Sequence, residues 1–505
     1  MLPKKVLLAL VVFAFSRQAI GADTSIFTQH NIVVPFNVTH PITPANILPQ
    51  QGVELLVLGV DKDNSRVMGI YGLDSQTGNF ELLDMITISK RIFAYDVGEA
   101  QADGLQYLYF LDKNSLLKYL PTAMSRPSPL IIEQALSSMY LADVADVISY
   151  RDFVQDRNGD GKDDILLPHF EHFNLWLSDC CGQRQLQSLP IGAHLQTDDG
   201  SVTFEDLELF YTDMTQDDKA DVVLVETGKL SVFSQNKARQ FSQVPFQVAI
   251  NPSLHGLNWW DIRDVDGQRL DQSQLSHRKV EVVEDLNGDN IPDIVVRHTK
   301  STGVLDKIND YEFYFGKLSD GQLSYAQEPN STITSEDTLS DLQLFDLNDD
   351  GKQEVMLSSY DLGISQIIGA LLSGSIDQEV LLFSMGEQGQ YASKPMVSQE
   401  MEITFSLSSG RRGEPMMKVA DMNGDKVKDL VFSDGEDSIK VLLATPKGKR
   451  AYAKRAKKQK IQVPKNAKDI AQYDINGDQK PDLILHYGRY DDPQMLNQVK
   501  VLIVN

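Results

Sequence analysis

The chain has little of what usually staples, anchors or charges a protein. Its 505 residues hold two cysteines, and these are adjacent, Cys180 and Cys181, so they cannot tie distant parts of the chain together. Two turn thiols, a strained vicinal bridge and redox work all remain open for the pair. A tetrahedral zinc site needs more than two thiolates. Long apolar runs are missing too: Val6 to Phe15 falls short of the ~20 residues that cross a bilayer, and no later segment is long enough. There is no HExxH helix, no glycine-rich phosphate loop and no Ser/His/Asp signature. Positive charge is scarce, with 47 Lys and Arg against 71 Asp and Glu and a net charge of −24. That balance argues against nucleic acid as a partner, because its phosphates would be repelled.

At the start, Lys4 and Lys5 precede the apolar run, and a polar stretch ends in Ala19-Ile20-Gly21-Ala22. This pattern predicts a cleaved secretory signal over residues 1–22. Residues 23–505 are then expected to be exported, to a periplasm or beyond the cell. With no cysteine near the cleavage site a lipid anchor is not expected, and the mature chain is read as a monomer.

What the chain does have is a repeat. Six times an acidic nine-residue loop runs into a short hydrophobic strand, at spacings between 53 and 75 residues. Oxygen side chains recur at positions 1, 3, 5 and 9: Asp156, Asn158, Asp160 and Asp164; Asp213, Thr215, Asp217 and Asp221; Asp285, Asn287, Asp289 and Asp293; Asp346, Asn348, Asp350 and Glu354; Asp421, Asn423, Asp425 and Asp429; Asp474, Asn476, Asp478 and Asp482. A main-chain carbonyl at position 7, as at Lys162, Ile291, Lys352, Val427 and Lys480, would add a fifth oxygen. Alternating oxygens of this kind suit Ca²⁺, which takes six to eight of them. Up to six ions are expected. Mg²⁺ would keep more water, and an EF-hand would lead into a helix rather than a strand.

Around each loop the apolar pattern has period two with turn signals between segments, the pattern of strands. One repeat is long enough for four strands, A to D, with the acidic loop joining A to B. Two units without intact loops precede the six, over Val53 to Asp84 and Tyr95 to Phe110. The expected architecture is therefore all-β, a single propeller of eight four-stranded blades, with seven as the alternative. The last unit lacks an outer strand, and Ile26 to Pro35 is expected to supply it, removing exposed sheet edges.

Position 6 of such a loop usually needs a left-handed backbone, which Gly adopts freely. It is Gly161, Asp218, Asn290, Gly351, Lys426 and Gln479 in turn. The loop at Asp213 departs most, with Thr215 and Asp218 both off-pattern. These loops resemble the FG-GAP/VCBS repeats of integrin α-chain-type β-propellers, over about residues 90 to 505. The resemblance implies calcium in the A–B loops, on Asp156, Asn158, Asp160 and Asp164 and their counterparts. It does not imply one activity, because function lies in sites grafted onto folds.

In this strand order the B–C and D–A loops form the rim opposite the acidic loops, and the long insertions fall there. Trp259, Trp260, Asp261, Arg263 and Asp264 lie in one of them, and Arg411 and Arg412 in another. The tryptophans suit stacking on a sugar or an apolar side chain, or plugging the loop onto its blade. The arginines suit carboxylates or sulfates. His169 and His298 are expected to end B strands at this rim, with His172 and His486 near the same level. The Lys-rich segment from Lys447 to Lys468 reads as a protected outer edge. The reading that follows is a binding, adhesion or assembly module for a protein or polysaccharide, with enzymatic activity left open. The alternative is a polysaccharide lyase or hydrolase, for which Asp261, Asp264 and Asp266 or the rim histidines would have to converge.

Overall fold

The computed structural model describes residues 25–49, 52–74, 76–121, 128–138, 143–145, 147–179, 183–198, 201–205, 207–263, 268–301, 307–361, 373–406, 411–445 and 451–505. The expected signal segment, the cysteine pair, Asp264, Asp266 and residues 362–372 lie outside them.

Eight sheets follow one another along the chain as the blades of a β-propeller, antiparallel apart from Ser149–Tyr150, which adds in parallel to Ile92–Val97, and Leu254–His255, which adds in parallel to Ser276–Glu284. Blade 1 is built on Glu54–Val60, Arg66–Asp74 and Asn79–Ile88, with Asn37–Val38 and Thr43–Ala45 both pairing with Glu54–Val60. Blade 2 comprises Ile92–Val97, Leu108–Asp112, Ser115–Tyr119 and Leu130–Ala135; blade 3, Val154–Gln155, Asp164–Pro168, Phe173–Ser178 and Arg184–Leu189; blade 4, Leu209–Thr212, Asp221–Glu226, Lys229–Phe233 and Phe246–Ala249. Blade 5 has Ser276–Glu284, Asp293–Ser301, Lys307–Tyr314 and Ser331–Ile333, and blade 6 has Thr338–Phe345, Glu354–Tyr360, Ser375–Phe383 and Val397–Ser406. Blade 7 has Met417–Ala420, Asp429–Ser433, Ser438–Leu442 and Lys457–Lys460. Blade 8 takes Ile470–Tyr473, Asp482–His486 and Gln498–Val504 from the end of the chain and Phe27–Val33 from its start, with Phe27 opposite Val504.

The middle strands are largely apolar because a neighbouring blade covers each face, blade 5 departing from this with Arg297, His298 and Lys300 in Asp293–Ser301. Glu54–Val60 is buried at all but its last residue, whereas the outer strand Asn79–Ile88 alternates. The core therefore lies between blades. Leu56, Met68 and Ile86 of blade 1 meet Phe110 and Leu117 of blade 2, and Leu55, Val57 and Val67 meet Ile484, Val499 and Val501 of blade 8. First and last blades thus share a core as consecutive ones do.

Blade 5 is the longest on its inner side. Its strand Ser276–Glu284 has nine residues, against four in Leu209–Thr212 and Met417–Ala420. Its B strand runs on to Ser301, in register with Lys307–Tyr314 as far as Ser301 opposite Lys307. His298 consequently lies inside this strand and does not end it, which corrects the position expected from sequence. Two hairpins interrupt the pattern, His194–Asp198 with Ser201–Glu205 and Lys317–Ser319 with Gln322–Ser324.

Candidate functional site

The six acidic loops share one hydrogen-bond plan. The first carboxylate folds over the turn and accepts backbone N–H groups from within it. Asp285 Oδ2 takes the Asn290 amide at 2.8 Å, Asp421 Oδ2 the Lys426 amide at 2.7 Å and Asp474 Oδ2 the Gln479 amide at 2.8 Å. In five of the loops the third side chain accepts from residue 5, as Asn287 Oδ1 does from the Asp289 amide at 2.9 Å, the exception being the Asp213 loop with Thr215 there. The fifth accepts from residue 7, as Asp425 Oδ1 does from the Val427 amide at 2.9 Å. So tight a wrap requires a left-handed backbone at position 6, and all six residues there have it, from Gly161 at φ 80° to Asp218 at φ 62°. Position 4 is left-handed as well, at Gly159, Gln216, Gly288, Asp349, Gly424 and Gly477.

The ninth residue behaves differently from the rest. Asp164, Asp221, Asp293, Asp429 and Asp482 are fully buried and Glu354 nearly so. In the five aspartates one oxygen accepts the amide of loop residue 2 and the other an amide at or just beyond the end of the C strand. For Asp293 these are Leu286 at 3.1 Å and Gly316 at 2.8 Å; for Asp482, Ile475 at 3.0 Å and Val504 at 2.9 Å. The residue is a latch that fastens the turn to the blade. Burial pushes the Asp164 and Asp293 carboxyls up to about 7, and those of Asp429 and Asp482 to about 6, the first and fifth carboxylates of each loop adding to the rise. Among the described residues no three His, Cys, Asp or Glu side chains gather at metal-holding spacing.

The loops also stitch neighbouring blades. The Gln353 amide donates to Leu286 O at 2.8 Å, Lys428 to Leu347 O at 3.0 Å, and Gln216 Nε2 to Asn290 O at 2.8 Å. Tyrosines from the C–D side complete the rim: the hydroxyls of Tyr325 and Tyr391 donate to the loop carbonyls of Pro292 and Gln353 at 2.9 and 3.0 Å. Sequence reading passed over these, although Tyr325-Ala-Gln-Glu-Pro329 and Tyr391-Ala-Ser-Lys-Pro395 carry a visible common pattern.

On the opposite rim, blade 5 gathers most of the expected ligand-binding residues. Trp259 and Trp260 meet edge to face at 5.3 Å, and Trp260 is 43% exposed. The Arg297 guanidinium lies 5.5 Å from the Trp260 ring and is held by Glu281 at 2.6 Å and Asn258 at 2.7 Å. Lys307 approaches the Trp259 ring at 5.3 Å, and Arg263 donates to Trp260 O at 2.7 Å. Asp261 sits at the turn Asn258 makes, its carbonyl 3.2 Å from His194 Nε2. Arg411 and Arg412 enter a short fifth strand on the outer edge of blade 6, paired with Ser406 and Phe405.

The histidines do not form one cluster. His169 stacks on His172 at 4.8 Å, and His255 stacks on His277 at 4.9 Å. His486 is buried against Asp469 at 3.5 Å, and burial holds its imidazole down at about 4. His298 hydrogen-bonds Ser276 and Glu312, partners that sequence spacing gave no means to find because they come from three strands.

No protein-family model and no characterised protein matches this sequence. Solved structures match it at low identity. A protein of Agrocybe aegerita, from work on recognition of non-reducing terminal N-acetylglucosamine, is 12% identical, with 85% of this chain and 94% of that one covered and a TM-score of 0.40. Hsv2 of Kluyveromyces marxianus is 10% identical over 84% of this chain and all of that one, with a TM-score of 0.34. The V. cholerae biofilm matrix protein Bap1 is 12% identical over 92% of this chain and 76% of that one, with a TM-score of 0.27.

Proposed function

We propose that this chain is an exported, calcium-stabilised β-propeller of the FG-GAP/VCBS kind that binds a polysaccharide or protein partner through the rim opposite its acidic loops. The observation that carries the reading is the blade-5 surface around Trp260. An exposed indole beside the Arg297 guanidinium offers both an apolar stacking face and charged hydrogen-bond donors at one place. Sugars and peptide side chains are both recognised by that combination.

Calcium fits the donors by type, since positions 1, 3 and 5 and the carbonyl at position 7 supply only oxygen. The mutual repulsion of the first, fifth and ninth carboxylates is what a bound dication would offset. The ninth carboxylate's contribution is limited by the two amides it already serves. Export is supported by Lys4, Lys5 and the apolar run after them, and N-terminal sequencing of protein recovered from cell fractions tests it.

The binding reading is tested on a glycan array and by titration of the ligands it identifies. Trp260→Ala should weaken binding at least about tenfold, equivalent to ~1.4 kcal/mol, without changing the melting temperature. Equal affinity of wild type and variant would move the binding surface elsewhere. An absence of binding to any glycan would leave a protein partner as the object of the reading.

A further inference from the structure

On the blade-5 face that packs against blade 4, three strands place a line of polar side chains. Ser276 and Arg278 come from the inner strand and His298 from the second, with Arg278 opposite His298. Glu312 comes from the third, opposite Val296 and so on the same face as His298. The line starts in the apolar interface, where Val280, Val296 and Tyr314 meet Val223 and Val225 of blade 4, and ends at the exposed Ser276 on the rim.

The hydrogen bonds along it are directional. Arg278 grips Glu312 with two bonds, Nε to Oε2 at 2.8 Å and Nη2 to Oε1 at 3.1 Å, and Tyr314 donates its hydroxyl to Oε2 at 2.9 Å. Burial alone would raise the Glu312 carboxyl, but the bonds from His298 and Arg278 and the guanidinium charge outweigh it and hold it at about 2. An ionised carboxylate only accepts. In the neutral imidazole the 2.9 Å contact between His298 Nδ1 and Glu312 Oε1 therefore places the ring proton on Nδ1. Nε2 is then the acceptor, and at 3.0 Å it receives the Ser276 hydroxyl.

We propose that Ser276, His298 and Glu312 form a nucleophile, base and positioning carboxylate, and that this rim transfers acyl groups from carboxylic esters to water. Ser276 Oγ attacks the ester carbonyl as its proton passes to His298 Nε2; the alkoxide leaves with that proton, and an acyl-serine remains. Water then attacks the acyl carbon, gives a proton to Nε2 and releases the acid as the serine regains its hydrogen. The logic is that of serine hydrolases on unrelated folds. An exposed serine at a rim admits a large alcohol component, so short acyl groups on bulky carriers are the favoured class. Arg278 shares the carboxylate, which weakens its pull on the imidazole proton and makes slow turnover the expectation.

The test uses the full chain with p-nitrophenyl acetate as substrate and a fluorophosphonate as label. The Ser276 peptide should carry the phosphonyl adduct, and Ser276→Ala and His298→Gln should each cut hydrolysis by at least about 10²-fold. Ser276→Ala, at an exposed position, should melt with wild type. In Glu312→Gln the ring nitrogen resonances should show the proton moved from Nδ1 to Nε2 and hydrolysis should fall with it; a shifted tautomer with undiminished hydrolysis overturns the role given to Glu312. An unlabelled Ser276 in the folded protein, or equal hydrolysis by Ser276→Ala, overturns the proposal. The outcome is independent of ligand binding at Trp260, because that residue's partner Arg297 faces the other side of the same strand.

Discussion

The two rims of this propeller are built in opposite ways. On one, six loops repeat the same bonds almost atom for atom, down to a left-handed residue at positions 4 and 6. On the other, blade 5 carries the tryptophan loop and lines up Ser276, His298 and Glu312. Repeated loops around a ring serve what the ring itself needs, and two of them make the same joint to the preceding blade, Gln353 to Leu286 and Lys428 to Leu347. A ligand or a substrate needs one place that differs from the others. On the proposals above, stability belongs to the regular rim, and recognition and chemistry to the irregular one.

The largest expected effect separates two roles within a single acidic loop. Asp293→Ala leaves the buried amides of Leu286 and Gly316 without an acceptor, at about 1–3 kcal/mol each. Asp289→Ala exposes the Ile291 amide to water at a solvent-facing turn and should cost below about 1 kcal/mol. Melting in the presence of chelator compares the two without a contribution from calcium. Equal losses would mean that the ninth residue is no latch, and that the six loops are merely acidic.

Next in size is the metal itself. If the loops hold calcium, occupancy stabilises the folded ring by mass action, about 2.7 kcal/mol for a site at a hundredfold excess over its Kd. The melting temperature should rise from chelator to millimolar Ca²⁺, while the acylation of Ser276 stays the same. Identical melting curves in the two conditions would remove calcium from the proposed function and leave the hydrogen-bond plan as the loops' whole purpose.

The regular rim was the legible one. Oxygen side chains at fixed spacing before an apolar strand are local in sequence, and so is the strand count that gave eight blades. The latch was half visible: position 9 was recognisably acidic, but only the fold shows that its oxygens are taken by amides up to 23 residues away. The irregular rim was mostly hidden. Ser276, His298 and Glu312 are separated by 22 and 14 residues, and their meeting depends on the register of three strands. Even His298, singled out in sequence, was placed at a strand end because nothing local showed that the strand runs on to Ser301. Trp259 and Trp260 were visible as residues, but Arg297 beneath Trp260 was not.

Blade 2 sharpens the comparison, since it keeps a buried carboxylate without an acidic loop. Asp96 accepts the amides of Phe153 and Val154, both at 2.7 Å, and of Val97 at 2.8 Å. Burial outweighs these bonds and pushes it up to about 7, whereas an unfolded Asp titrates near ~3.9. Between those values the folded state binds more protons than the unfolded one, so this group's contribution to stability falls as pH rises through the window. Asp96→Asn cannot ionise, and should flatten that part of the slope between about pH 4 and pH 7 whatever its effect on stability at a single pH. An unchanged slope would show that Asp96 is not the group titrating.

The smallest effect lies in the repeat's own imperfections. Lys426 and Gln479 hold φ of 70° and 69° where the first and fourth loops have glycine. A left-handed backbone costs a non-glycine residue about 1–2 kcal/mol, and glycine loses about 0.5–1 kcal/mol to its freedom in the unfolded chain. Lys426→Gly and Gln479→Gly should therefore each raise stability by about 0.5–1 kcal/mol, and Gly351→Ala should lower it by a similar amount, all read from melting in chelator. The amide at position 6 still reaches Asp421 or Asp474 after either replacement, so no bond is lost with the side chain. Should Lys426→Gly destabilise, the lysine would be contributing through its side chain, and that loop would no longer be equivalent to its neighbours.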